Sequence, residues 1–158
     1  MSVYVFDNNS LSVLIKHFYE SRFPSLWTSI DELVNSGVMV SVKEVQRELS
    51  AVFSMNPFVE RTAITAPFFQ ASTPEELLLV RDIFSNKRFQ DLVSRKSILK
   101  GTPVADPFLI AKAELCSGIV VTQEEYKPNG VKIPNVCEER KVACIDLETF
   151  MEQQNWIF

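Results

Sequence analysis

Short apolar runs alternate along this chain with longer stretches in which apolar residues recur at helical spacing. Val3-Tyr4-Val5-Phe6 reads as a buried strand, since a brief unbroken apolar run suits a strand covered on both faces. Asn8-Asn9-Ser10 then offers capping side chains for a helix from about Leu11 to Tyr19, with Leu11, Leu14, Ile15 and Phe18 on its apolar face. Phe23-Pro24 breaks the chain, and Ser25 begins a second helix that ends near Ser36-Gly37. Val38 to Ser41 is a second short apolar run. Ser41-x-x-Glu44 has the form of a capping box, which predicts a helix from Val42 to about Phe53.

Met55-Asn56-Pro57 reads as a turn. Ile64 to Phe69 is apolar but holds Pro67, so it is an edge strand or an irregular segment. Thr73-Pro74-Glu75-Glu76 is a strong helix start, and Leu77, Leu78, Val80, Ile83, Phe84 and Phe89 continue an apolar helical pattern to about Val93. Ser94 to Gly101 is a polar, basic connector. Either Thr102-Pro103 or Asp106-Pro107 starts the next helix, which reaches Leu115 and stops at Gly118. Ile119 to Thr122 is a β-branched strand, residues 123–134 a loop, and Val136 to Arg140 one helical turn. Val142 to Ile145 is the last strand, and Asp146 caps a helix from Leu147 to Gln153. Strands separated by helices call for crossover connections, hence a parallel sheet and an α/β fold.

Composition narrows the chemistry. The 158 residues suit a single domain. No apolar run approaches the roughly 20 residues that span a bilayer. The first apolar segment has no basic stretch before it, so the N-terminus reads as a first strand and not as a signal peptide. A cytoplasmic protein without membrane contact is the expectation. Cys116, Cys137 and Cys144 are odd in number and form no C-x-x-C pair, which argues against a disulfide framework or zinc site and for buried free thiols. The single histidine, His17, lies off the apolar face of its helix, which counts against Ser-His-Asp, Cys-His and two-histidine mechanisms. The net charge of −4 disfavours binding nucleic acid over the whole surface. The stretch from 81 to 100 is locally basic, however, and Lys87, Arg88, Arg95, Lys96 and Lys100 are candidates for contacting substrate phosphates.

Four acidic residues stand where strands should end or helices begin: Asp7, Glu48, Asp106 and Glu124. In an open parallel sheet those positions border the ligand crevice. Carboxylates converging there repel unless protonated or neutralised by a cation. An oxygen-only set is what Mg²⁺ or Mn²⁺ selects. The four are therefore candidate metal-binding and catalytic groups. Glu44 lies one turn from Glu48, but the capping box with Ser41 accounts for it, leaving it a supporting role. Thr122 at a strand end is a second candidate supporting group. Glu125 adjoins Glu124, and either could be the fourth acid.

These segments together resemble a PIN-like nuclease domain over residues 1–158. "VYVFDNNSL" resembles the opening strand with its aspartate, which makes Asn9 a further supporting candidate. "SVKEVQRELS" is similar to the second motif, where Glu48 fits best. "GTPVADPFLIAKA" resembles the third, and "GIVVTQEE" the fourth, with Glu124 where many members carry Asp. "FPSLWTSIDELVNSG" and "KIPNVCEERKVACIDLETFM" resemble a branch of unassigned function akin to VapC-type toxins. The resemblance implies a Rossmann-like three-layer α/β/α sandwich with a mainly parallel sheet. It also implies Mg²⁺- or Mn²⁺-dependent RNA cleavage and the toxin role in a toxin–antitoxin pair with a cognate antitoxin protein. A homodimer through Phe68-Phe69 or Trp156-Ile157-Phe158 is a further expectation. Alternatives are a DNA or flap nuclease on the same fold, a catalytically inert binding module, and a small-molecule phosphatase using the same acids.

Overall fold

A computed structural model describes residues 2–64, 67–90 and 104–158. Among the described residues five strands form one parallel sheet: β1 (Tyr4–Phe6), β2 (Met39–Val42), β3 (Phe69–Gln70), β4 (Ile119–Val121) and β5 (Ala143–Ile145). Among the described residues the helices are α1 (Asn8–His17), α2 (Pro24–Asn35), α3 (Lys43–Phe53), α4 (Pro57–Ile64), α5 (Pro74–Phe84), α6 (Asp106–Cys116), α7 (Ile133–Arg140) and α8 (Leu147–Gln153), with a further helical turn at 87–90. The strand order is β3-β2-β1-β4-β5. The first strand is thus central, and the chain builds outward to one side before crossing to the other. This is the Rossmann-like α/β architecture expected, and its order reverses between β1 and β4. That seam is where such sheets open a crevice at the carboxyl ends of their strands.

Register puts three strand ends side by side. Phe6 pairs with Val121, and Val121 with Ile145, so β1, β4 and β5 finish together. Alternation places Tyr4 and Phe6 on one face of β1. Both rings meet Phe150 of α8 edge-on at 4.9 Å, and Tyr4 Oη donates to Gln153 Oε1 at 2.8 Å. A second aromatic chain runs from Trp27 of α2 through Phe58 of α4 to Phe68 and Phe69. Packing couples α1 to α3 and α3 to α4, and separately α5 to α6 and α6 to α7.

Several local expectations change. Helix α1 starts at Asn8 because Asp7 is its cap, accepting from Asn8 N at 2.7 Å. The Ser41–Glu44 capping box does not form. Ser41 is fully buried inside β2, where its hydroxyl donates to Phe6 O at 2.7 Å, and α3 begins after Val42 with no side-chain cap. Asn56 does more than turn the chain: its Oδ1 accepts from Phe58 N and Val59 N and starts α4. The Thr73–Glu76 capping box is present in full. Leu77 and Leu78 of α5 are exposed, and its buried residues are Glu76, Val80 and Ile83. Gly118 does not supply the left-handed residue that ends α6; Ser117 does, at φ 52°. Gly118 is instead needed for close approach, since a Cβ there would lie 2.8 Å from Val3 O. Helix α7 has two turns where one was expected, beginning at Ile133. Phe68 and Phe69 are core residues and offer no dimer surface, whereas Ile157 and Phe158 are exposed. The expected continuation to Val93, the connector 94–101 and the start at Thr102-Pro103 lie outside the described residues.

Candidate active site

The seam between β1 and β4 delivers one carboxylate into the fold. Asp7 follows the last residue of β1, and its N–H still reaches β4, donating to Val121 O at 3.0 Å. The side chain is only 4% exposed. Its Oδ1 accepts from Asn8 N, and Thr122 Oγ1 lies 3.1 Å from Oδ2. Burial first, and the negative charges of Asp106 and Glu124 after it, push the Asp7 carboxyl up from 3.8 to about 8. The Asn8 N–H and the Thr122 hydroxyl oppose this and lose. At neutral pH Asp7 therefore carries a proton unless a cation sits nearby.

The Thr122 hydroxyl has one hydrogen and two oxygens in reach, Asp7 Oδ2 and Asn9 Oδ1 at 3.2 Å. It also accepts from Glu124 N at 3.2 Å. With Asp7 ionised, the hydroxyl donates to Asp7. With Asp7 protonated, the hydroxyl can accept that proton's hydrogen bond and turn its own hydrogen to Asn9. Asn9 Oδ1 also accepts from Gln123 N at 2.8 Å. Thr122 and Asn9 thus tie the β1 and β4 ends together, as supporting groups should.

Glu48 approaches from α3. Its Oε2 accepts from Asn8 Nδ2 at 2.8 Å, and its Oε1 lies 3.4 Å from Ala105 N, just before Asp106. Ser12 Oγ donates to Asn8 Oδ1 at 3.0 Å and fixes that amide. Asn8 serves the site as well as the expected Asn9, and its mark in the sequence is its place beside Asp7 at the helix start. Asp106 opens α6 without capping it; Ala105 is the cap and makes no side-chain bond. Glu124 Oε2 accepts from Ile133 N at 2.8 Å, so this acid also starts α7.

The structure thus brings Asp106 and Glu124 into electrostatic range of Asp7 and links Glu48 to the residue after Asp7. Glu125 is exposed on the loop. Glu44 is not engaged in capping, and its Oε2 is buried without a hydrogen-bond partner among the described residues. Lys87 and Arg88 are exposed, and Arg88 Nη2 donates to Gly130 O at 3.1 Å. Arg95, Lys96 and Lys100 lie outside the described residues. His17 is exposed. All three cysteines are free, but Cys116 is exposed where burial was expected. Cys137 and Cys144 act on each other: the Cys144 sulfur and then burial push the Cys137 thiol up, while the Cys137 partner, against burial, holds Cys144 down. Spacing gave no hint of this contact, which depends on how α7 folds back along β5.

A family model described as "Domain of unknown function (DUF4411)" matches residues 4–158. The chain belongs to this family. No curated protein matches it.

The donors at the seam are carboxylate oxygens, the type that hard divalent cations take. Burial, reinforced by the charges of Asp106 and Glu124, holds a proton on Asp7, and a cation in that proton's place would let the carboxylate form. Glu48 and Glu124 already accept hydrogen bonds, yet a carboxylate has about four lone-pair sites and can serve a cation as well. Among the described residues no group of three or more His, Cys, Asp or Glu side chains is placed to hold a metal ion. The set fits a divalent ion in donor chemistry and charge alone.

Proposed function

We propose that this chain is a cytoplasmic, metal-dependent endoribonuclease of the PIN-like kind, acting as the toxin of a toxin–antitoxin pair. One observation carries the reading: a buried carboxyl at the strand-order reversal whose proton is retained through burial and two further acids. Burying an acid costs stability, and groups perturbed in this way mark functional sites. Asp7, Glu48, Asp106 and Glu124 would hold Mg²⁺ or Mn²⁺. When bound, that ion supplies Lewis acidity that lowers the pKa of a water towards neutrality and stabilises charge on phosphodiester oxygens. In such a neutralised cluster Asp7 would be a carboxylate, its proton passed to solvent. Asn8 keeps the Glu48 carboxylate oriented towards the Asp106 end of α6. Thr122 and Asn9 hold the two strand ends in register while Asp7 changes charge. Arg88, exposed beside the loop that follows Glu124, can meet a substrate phosphate. Among the described residues no helix is long and apolar enough to cross a membrane. The cognate antitoxin and a homodimer remain part of the proposal through resemblance.

The test is cleavage of a mixed pool of structured and single-stranded RNAs with Mn²⁺, Mg²⁺ or EDTA, run beside Asp106→Asn. The expected result is metal-dependent cutting that EDTA stops and Asp106→Asn reduces by about a hundredfold or more. Cutting unaffected by EDTA and by the substitution would remove both the mechanism and the site. Single-stranded DNA and flap substrates in the same assay separate the DNA-nuclease alternative. The hydrogen bonds already held by Glu48 and Glu124 favour a second reading, an inert binding module whose acids serve the fold. A folded protein that neither cuts nor binds Mn²⁺ would support that reading.

A further inference from the structure

The loop after Glu124 and one side of α7 border a second feature. A hollow of about 230 Å³ opens between them and the turn at 87–90, with Arg88, Tyr126, Glu138 and Glu139 on its walls. Drug-sized sites run to about 300–1,000 Å³; this one has room for a single base. Its walls are built in advance. Asn135 spans the loop, accepting from Lys127 N and donating from Nδ2 to Lys127 O at 2.7 Å. Gly130 N donates to Lys127 O at 2.7 Å, and a Cβ at Gly130 would lie 2.8 Å from that same oxygen. The Arg88 bond to Gly130 O closes the far side. Glu124 anchors the loop's other end on Ile133, so the hollow and the acidic cluster share one structural element.

The wall chemistry is specific. Tyr126 is 54% exposed and presents an aromatic face. Glu138 and Glu139 offer acceptors only, and Glu139 takes a bond from Asn86 Nδ2 at 3.3 Å. Guanine carries two adjacent donors, N1–H and N2–H, on its Watson–Crick edge, and a carboxylate accepts from both at once. The other RNA bases have no such donor pair. The phosphate on the same nucleotide's ribose is an anion, and Arg88 supplies a cation beside the carboxylates.

We propose that this hollow is a guanine subsite of the substrate strand, with Tyr126 stacked on the base, Glu138 accepting from N1–H and N2–H, and Arg88 on the adjoining phosphate. The proposal rests on the ribonuclease reading for its substrate but not for its test. Binding of 5′-GMP, 5′-AMP, 5′-CMP and 5′-UMP to the full chain is measured by calorimetry without divalent ions, so catalysis plays no part. GMP should bind about tenfold or more tightly than the other three, and Glu138→Gln should abolish that preference. Tyr126→Ala should weaken all four. Both positions are exposed, and unchanged thermal melts will show that the variants fold. Equal affinity for all four nucleotides, or none, overturns the guanine site; RNA cleavage in the same preparation would then leave the nuclease reading standing. Selective GMP binding without cleavage upholds the site and counts against the nuclease.

Discussion

Asp7→Asn is expected to abolish RNA cleavage and at the same time make the protein more stable at alkaline pH. The activity follows from removing the buried carboxylate at the strand-order reversal: a fall of about a thousandfold corresponds to about 4 kcal/mol of lost transition-state stabilisation. The stability follows from linkage. Folding raises the Asp7 carboxyl from 3.8 to about 8, so the folded chain holds a proton that the unfolded chain has lost across that window. The Asp7 contribution is then most favourable below about pH 4, declines as pH rises, and reaches its full penalty above about pH 8. The penalty is on the order of 5 kcal/mol. Asparagine has no proton to lose. Its Oδ1 can still accept from Asn8 N, and its Nδ2 can donate to Thr122 Oγ1. At pH 8.5 without divalent ions, Asp7→Asn should therefore melt roughly 10 °C or more above the parent, with the gap closing towards pH 4. A variant that loses activity and melts lower at pH 8.5 would mean that Asp7 is structural in its charged form.

Glu76→Ala should be the most destabilising single change away from the site. Glu76 and Lys112 form a buried pair at 2.9 Å, with side chains 5% and 8% exposed. Glu76 also closes the Thr73 capping box, and Lys112 also donates to Gln70 Oε1 at 3.0 Å. The pair therefore joins α5, the edge strand β3 and α6, the helix that opens with Asp106. Truncating Glu76 leaves an ammonium buried without its counter-charge, which costs about 3–5 kcal/mol. The thermal midpoint should fall by about 10 °C or more. Replacing both partners with apolar residues, as in Glu76→Leu with Lys112→Met, should recover most of the loss, because the penalty lies in the stranded charge and not in the missing attraction. If the double variant is as unstable as the single one, the capping box and packing dominate at this position.

Much of the architecture could be read from the chain because two periodicities reported it. Val3–Phe6 and Ile119–Thr122 are unbroken apolar runs, and each became a central strand. The spacing between them forced crossovers and hence parallel pairing. Local chemistry served well where side chain and backbone had no rival partner, as in the Thr73 box and the Asp146 cap of α8. It failed where a tertiary partner competed. Ser41 has the sequence of a cap, but burial in β2 gives its hydroxyl to Phe6 O. Glu44, freed of the cap, keeps an oxygen buried without a partner among the described residues. Gly118 marked the end of α6 correctly for the wrong reason. Leu77 and Leu78 followed the helical pattern yet face outward, since α5 buries Glu76 against Lys112 instead.

At the site, the strand-end rule located Asp7 and Thr122, and their proximity followed from the β1–β4 register. The role of Asn8 was not legible. That side chain acts across the fold on Glu48, a relation between residues far apart in sequence. The second task of Glu124, starting α7, was hidden for the same reason.

The most direct test of the metal centre is a calorimetric titration of the protein with Mn²⁺ at pH 7, repeated in buffers of different ionisation enthalpy to count protons. Since Asp7 titrates at about 8 in the folded chain, it is mostly protonated at pH 7 before the ion arrives. Binding should release close to one proton, and Asp7→Asn should release none and bind much more weakly. Mn²⁺ binding without proton release, or no difference between the two proteins, would contradict a metal centre built on Asp7.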